Sequence, residues 1–198
     1  RDPRPLIEAI GLLNQRGIRV RFEQIGNCSG EFEMSRFLRE GDYGDLASFT
    51  PPVPREEALK RLAAADLLLL IQPGTDLQIP GKLFEMLPFR KPILAITDAG
   101  ATADLIERYH MGAVAADHHP EAIAAVLETL ILQRDQADAE LHWDQAMHDF
   151  DGRTLTAELA AVLNAAAGFA PRGETAAPPS ECMTELTAAG SRRPSPTD

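Results

Sequence analysis

Apolar positions along the chain alternate between helical spacing and short strand-like runs. Leu6, Ile10 and Leu13 share one face of a helix predicted over residues 5–15, with Gly17 behind it as terminator. Val20, Phe22 and Ile25 mark a strand over residues 18–25 that ends in Gly26-Asn27. A polar helix over residues 31–39, a glycine turn at 41–44 and a strand over 46–50 follow, the last closed by Pro51-Pro52. Pro54-Arg55-Glu56-Glu57 opens a helix whose Ala58, Leu59, Leu62 and Ala63 are expected to face inward. Leu67-Leu68-Leu69-Leu70-Ile71 is the continuous apolar run of a strand covered on both faces. A short helix opening at Pro80 leads to a strand over 93–96, a helix over 102–109, a strand over 113–116 and a helix over 120–133. This alternation predicts an α/β fold, a parallel sheet with helices on both faces.

Two more helices, over residues 137–147 and 153–166, have no strand between them and are expected to pack on or across the domain. From Gly168 onward, prolines among Ser, Thr, Ala and Gly predict a disordered tail. The expected organisation is therefore an α/β domain over 1–135, C-terminal helices over 136–167 and a tail over 168–198. No strand precedes the first helix, where an alternating sheet would ordinarily have one, so the chain is expected to be a piece of something longer.

Composition narrows the function. An apolar share of 44% over 198 residues suffices for a sizeable core. A net charge of -11 excludes the positive footprint that non-specific nucleic-acid binding needs. No apolar run approaches the ~18 residues of a membrane span. Cys28 and Cys182 form neither a disulfide framework nor a metal-ligand spacing, which fits a reducing compartment. His118-His119 lacks a partner one helical turn on, so solvated loop histidines are expected, not a metal site. His142 and His148, flanking Trp143, are expected at a helix surface, and Asp104 and Glu107 on a solvated helical face. No Ser-His-Asp set and no glycine-rich phosphate loop is legible.

The most informative stretch is Ile79-Pro80-Gly81-Lys82-Leu83-Phe84-Glu85-Met86-Leu87, followed by Arg90-Lys91-Pro92-Ile93-Leu94-Ala95-Ile96. It reads as a Pro-Gly loop, a short helix and a buried strand. A helix start at the edge of a parallel sheet aims backbone N–H groups, and about half a positive charge, at what binds there, which suits a phosphate. Pro80 fits the first helical position, where its missing N–H costs nothing. Lys82, one of three lysines with Lys60 and Lys91, can reach the same anion, and Glu85 can accept hydrogen bonds from a sugar diol. In open α/β sheets ligands sit outside the carboxyl ends of the strands. Four loops belong to that edge: Gly26-Asn27, residues 51–54, residues 72–80 and residues 97–100.

Over roughly residues 1 to 165 the chain resembles the C-terminal, nucleotide-sugar-binding domain of a GT-B fold glycosyltransferase of the family 4 type. The resemblance rests on an ordered set: Arg1-Asp2-Pro3-Arg4-Pro5-Leu6, Val53-Pro54-Arg55-Glu56-Glu57-Ala58-Leu59, Ala64-Ala65-Asp66-Leu67-Leu68-Leu69, and Ile79 to Glu85 with Lys91-Pro92-Ile93-Leu94-Ala95. It implies a Rossmann-like sheet forming one half of a GT-B architecture. The implied activity is sugar transfer from a nucleoside diphosphate donor, usually with retention and without a catalytic metal or other cofactor. The family's ribose-binding glutamate falls on Glu85, its base-binding loop with Val53 on residues 51–54, and its glycine turn near the ribose on Gly26. The diphosphate would lie over Pro80, Gly81, Lys82 and Leu83. The family often has a second acidic residue eight positions before Glu85; Leu77 stands there, flanked by Asp76 and Gln78 as substitutes.

The resemblance also implies partners: a nucleotide sugar, and a glycan or lipid-linked acceptor bound through an N-terminal domain outside this chain, as in polysaccharide biosynthesis. It implies a cytoplasmic location, with peripheral contact at the inner membrane face left open. The fragment alone is expected to turn over sugar poorly or not at all, since the second wall of the cleft excludes water and positions the acceptor. Two alternatives stand beside this reading, a non-catalytic interaction module with a decayed nucleotide site and a GT-B-like sugar-nucleotide epimerase.

Overall fold

The computed structural model describes residues 2–26, 34–116, 118–134 and 143–168. The chain divides into two compact units, Arg1–Leu155 and Thr156–Asp198. The expected tail, with Cys182, lies outside the described residues except for Gly168, as do Asn27, Cys28 and His142.

The first unit alternates helix and strand: α1 (Arg4–Gln15), β1 (Phe22–Ile25), α2 (Met34–Glu40), β2 (Ala47–Thr50), α3 (Arg55–Ala64), β3 (Leu68–Gln72), α4 (Gly81–Met86), β4 (Ile93–Thr97), α5 (Ala101–Arg108), β5 (Gly112–Ala115), α6 (Pro120–Arg134) and α7 (Trp143–Asp149). α8 (Gly152–Ala166) crosses into the second unit. All the strand pairs are parallel, as the expected α/β architecture requires.

β4 is the axis of the core, buried at all five positions. Side chains alternate across a strand. Ile93 and Ala95 accordingly join Leu68 and Leu70 of β3, Leu83 of α4, Leu105 and Ile106 of α5, and Trp143 and Ala146 of α7. Leu94 and Ile96 point the other way, into a cluster with Leu6, Ile10 and Leu13 of α1 and Ile123, Leu127 and Leu130 of α6. A third cluster sets Ile7 of α1 against Ala47 of β2 and the half-buried Phe22, Phe37, Tyr43 and Phe49.

Several expectations are corrected. The sheet is not one: β1 pairs with β2, β3-β4-β5 form a second group, and among the described residues no ladder joins the two. The strand expected over residues 18–25 is confined to Phe22–Ile25, with Ile18 and Val20 half-buried against the α1–α6 cluster. Of the helix expected over 137–147, residues 137–142 lie outside the described residues, and the described helix Trp143–Asp149 runs two residues past the expected end. α3 buries no residue fully, and Ala63 is exposed. Its contact with the first sheet is polar instead: Arg61 donates to Glu23 on β1 at 2.6 Å and to Thr50 on β2 at 3.3 Å.

α7 is held to α5 by a buried aromatic group. Tyr109 is 8% exposed, and its hydroxyl donates to Asp149 Oδ2 at 2.7 Å. Its ring meets Phe150 edge-on at 5.6 Å, and Phe150 in turn packs on Phe84 of α4 at 5.0 Å. The hydrogen bond to Asp149, then burial and the neighbouring negative charge, raise the phenol above its ordinary value of 10.0. The fold thus favours the neutral phenol. Its contribution to stability is complete below that ordinary value and is lost as pH rises through the higher folded value. Unfolding titrations are expected to show this alkaline loss in the wild type and a flatter alkaline arm in Tyr109→Phe.

Gly112 begins β5 opposite Ile93 with φ 153°, and a Cβ there would come closer than 3.0 Å to the Ile93 backbone. Substitution would therefore push β5 away from the axis of the core. Gly112→Ala is expected to lower unfolding stability by about 3 kcal/mol, measured by urea denaturation.

Candidate functional site

Because all strands in each group run parallel, the βα loops collect at their carboxyl ends. Gly26 follows β1 and donates its N–H to the Thr50 carbonyl at 2.9 Å, which ties the end of β1 to the end of β2. Val53 is half-buried in the turn after β2, and Pro54 caps α3 without a side-chain hydrogen bond.

The loop between β3 and α4 is the most elaborate of the edge. Gln72, 3% exposed at the end of β3, turns its Nε2 to Thr75 Oγ1 at 2.8 Å and to Gln78 Oε1 at 3.4 Å. The Gln72 carbonyl accepts the Thr97 hydroxyl at 3.0 Å. Asp98 Oδ2 accepts the Gly74 N–H at 2.7 Å. The Asp76 carbonyl accepts the Ala101 N–H at 2.6 Å, and the Gln78 carbonyl accepts the buried Thr102 hydroxyl at 2.9 Å. The turn after β4 and the start of α5 thus fasten the loop from several points. Asp76, Leu77 and Gln78 all lie exposed, Leu77 most of all at 86%. Its two neighbours' carbonyls are both bound inward, and the leucine side chain stands out from the loop.

α4 follows directly. Pro80 is buried at its N-cap with extended backbone (ψ 136°). Leu83 is fully buried in the core, and its N–H donates to the Pro80 carbonyl at 2.9 Å. Leu83 thus anchors the helix, while Gly81 and Lys82 contribute the amides of its exposed start. Lys82 and Glu85 are both exposed, three residues apart on one side of α4. Leu83 anchoring and Lys82–Glu85 presentation come from the same helix period.

The sequence reading named the turn after β4 as a ligand-edge loop but not what its residues do. Asp98 and Thr102 hold a loop more than twenty residues upstream, and Gly100, at φ 151°, leaves room for the Asp76 carbonyl. The glycine was the only signal available, and a glycine in a βα turn has many causes. His118 is not the solvated histidine expected: it is half-buried, with Nε2 3.5 Å from Asp98 Oδ1 and shielded from solvent. His148, Asp104 and Glu107 are exposed as expected. Among the described residues no group of three or more His, Cys, Asp or Glu converges as metal ligands would. Among them, too, no helix is long and apolar enough to cross a membrane. A depression of about 300 Å³, lined by Asn14, Arg19, Val20, Arg21, Asp45 and Leu46, lies at the opposite, amino-terminal end of β1 and β2.

No protein-family model matches the sequence, and no curated protein matches it. Among solved structures the fold matches sucrose-phosphate synthase from Thermosynechococcus elongatus, with TM-score 0.58 and 16% identity over 83% of this chain and 44% of that one. It matches Anabaena HepE, solved in complex with UDP-glucose, with TM-score 0.51 and 16% identity over 80% of this chain and 52% of that one. WaaG, a glycosyltransferase involved in lipopolysaccharide biosynthesis, matches with TM-score 0.53 and 22% identity over 80% of this chain and 42% of that one. The chain has the fold of the Rossmann-like half of a GT-B glycosyltransferase. It spans about half the length of the solved structures it matches.

Proposed function

We propose that the chain is the donor-binding half of a nucleotide-sugar-dependent glycosyltransferase of the hexosyltransferase type, and that the nucleotide lies along the carboxyl edge of the sheet. The observation that carries the reading is the fastened loop of residues 73–79 running into α4, which presents Lys82 and Glu85 to solvent at the edge where α/β sheets bind ligands. The fold supports it, and one structure of the same fold holds UDP-glucose.

In this reading Glu85 accepts the two ribose hydroxyls, and a carboxylate suits a vicinal diol because its two oxygens accept side by side. Lys82 and the Gly81 and Lys82 amides face the diphosphate. Gly26 and Val53 border the nucleoside, and Asp76 and Gln78 the transferred sugar. Leu83 and Pro80 fix the helix from below. Transfer proceeds with retention and without a metal or cofactor, to a glycan or lipid-linked acceptor held by a second domain, in the cytoplasm or at the inner membrane face. Alone, the chain binds donor but turns it over poorly, since an open half-cleft neither excludes water nor positions an acceptor.

One observation favours a second reading, a non-catalytic module with a decayed site: Leu77, an exposed apolar residue where a carboxylate would meet the sugar.

Titration calorimetry of the 198-residue chain with UDP and GDP separates the two. A nucleoside diphosphate is expected to bind equally with and without EDTA, and Glu85→Ala to weaken it about tenfold, or about 1.4 kcal/mol. Equal heats for wild type and Glu85→Ala would sink the donor-site reading.

A further inference from the structure

We propose that Asp98 and Gly100 are positioning residues for this nucleotide site: together they latch the β3–α4 loop in the shape that presents Asp76, Gln78 and the start of α4 to the ligand. The inference rests on the nucleotide reading above and goes beyond it, because neither residue is among those assigned to touch the nucleotide sugar.

Three features carry it. The first is the pattern of bonds between the two segments. Asp98 holds Gly74 at the head of the loop, Ala101 holds the Asp76 carbonyl in its middle, and Thr102 holds the Gln78 carbonyl at its foot. Each is a hydrogen bond of 2.9 Å or less, and the one to Asp98 is charge-assisted, the stronger kind. The second is that Gly100 admits no side chain. A Cβ there would come closer than 3.0 Å to the carbonyl, Cα and oxygen of Asp76, all backbone atoms that cannot rotate aside. The third is what the latch releases. Asp76, Leu77 and Gln78 stay exposed while the carbonyls on either side of Leu77 are bound inward.

Loops that bind ligands come from the weakly stabilised parts of a fold, and ordering them on binding costs affinity. A loop already fastened at its head, middle and foot has met that cost in the fold. Loss of the latch is therefore expected to weaken nucleotide binding without melting the core, since β4 and α5 keep their buried contacts with Ile93, Ala95, Leu105 and Ile106.

The test follows amide hydrogen exchange by NMR and UDP affinity by calorimetry in the wild-type chain and in Asp98→Ala, Asp98→Asn, Gly100→Ala and Glu85→Ala. Asp98→Ala is expected to speed exchange at Gly74 at least tenfold, and Gly100→Ala to do so at Ala101, with β4 amides still protected in both. Both are expected to weaken UDP binding at least tenfold. Asp98→Asn keeps an oxygen to accept the Gly74 N–H but not the charge, and is expected to fall between wild type and Asp98→Ala in both readouts. A purely structural role would lower β4 protection and the thermal midpoint together with affinity. Unchanged exchange in Asp98→Ala, or no rescue by asparagine, overturns the latch. Wild-type UDP binding that Glu85→Ala weakens but Asp98→Ala and Gly100→Ala leave intact overturns the positioning role alone. A wild-type chain that binds no UDP overturns the positioning role together with the nucleotide reading, while the exchange data still report whether the loop is fastened.

Discussion

Burial of β4 on both faces is the constraint from which the rest of the unit follows. All five of its residues are enclosed, and its register with β3 and β5 is continuous along the strand. Because successive side chains point to opposite faces, a slip of one residue would exchange the contents of the two helical layers. Ile93 and Ala95 would leave the α4–α5–α7 side, and Leu94 and Ile96 would leave the α1–α6 side. The register is thus fixed by packing, and with it the height at which each strand ends. Thr97 closes β4 by donating its hydroxyl to the carbonyl of Gln72 across the sheet. The edge where the candidate site lies is set by that one strand.

From this edge the site is assembled by backbone more than by side chains. Glycine and carbonyl groups of residues 74–78 are bound to the turn after β4, and α4 begins where that loop ends. α4 is short, and its stability comes from Leu83 in the core and from Phe84 stacking toward Phe150, not from its own length. Such a helix can turn Lys82 and Glu85 outward without needing them for folding. On the proposed reading, that division leaves the polar residues of α4 free to serve a ligand. The chain spans about half the length of the solved structures that share its fold.

Much of this was legible from residue order. The apolar runs of β3 and β4 are too short for helices, and a helix start at Pro80-Gly81 was readable from proline's fixed backbone angle, although Pro80 takes the N-cap with extended backbone and Gly81, not Pro80, is the first helical residue. The pair Lys82 and Glu85 was readable as ligand-facing, but the burial of Leu83, expected beneath the diphosphate, was not. The length of β1 was not, because Ile18 and Val20 are apolar for a reason the strand pattern does not distinguish: they pack against α1 and α6 while lying outside any ladder. Nor was the polar contact of α3, where Arg61 bonds Glu23 on β1 while Ala63, expected to face inward, is exposed.

Sequence by itself determined the alternation of elements, the two-faced burial of the central strands and the positions of the βα loops, because each depends on periodicity or on the backbone chemistry of proline and glycine over a few neighbouring residues. Tertiary structure alone decided that the strands form two groups instead of one, that Asp98 grips Gly74, and that Gly100 makes room for Asp76. Those contacts join residues at the ends of neighbouring strands that are more than twenty apart in the chain. No local pattern encodes them; they exist only once β3 and β4 lie side by side.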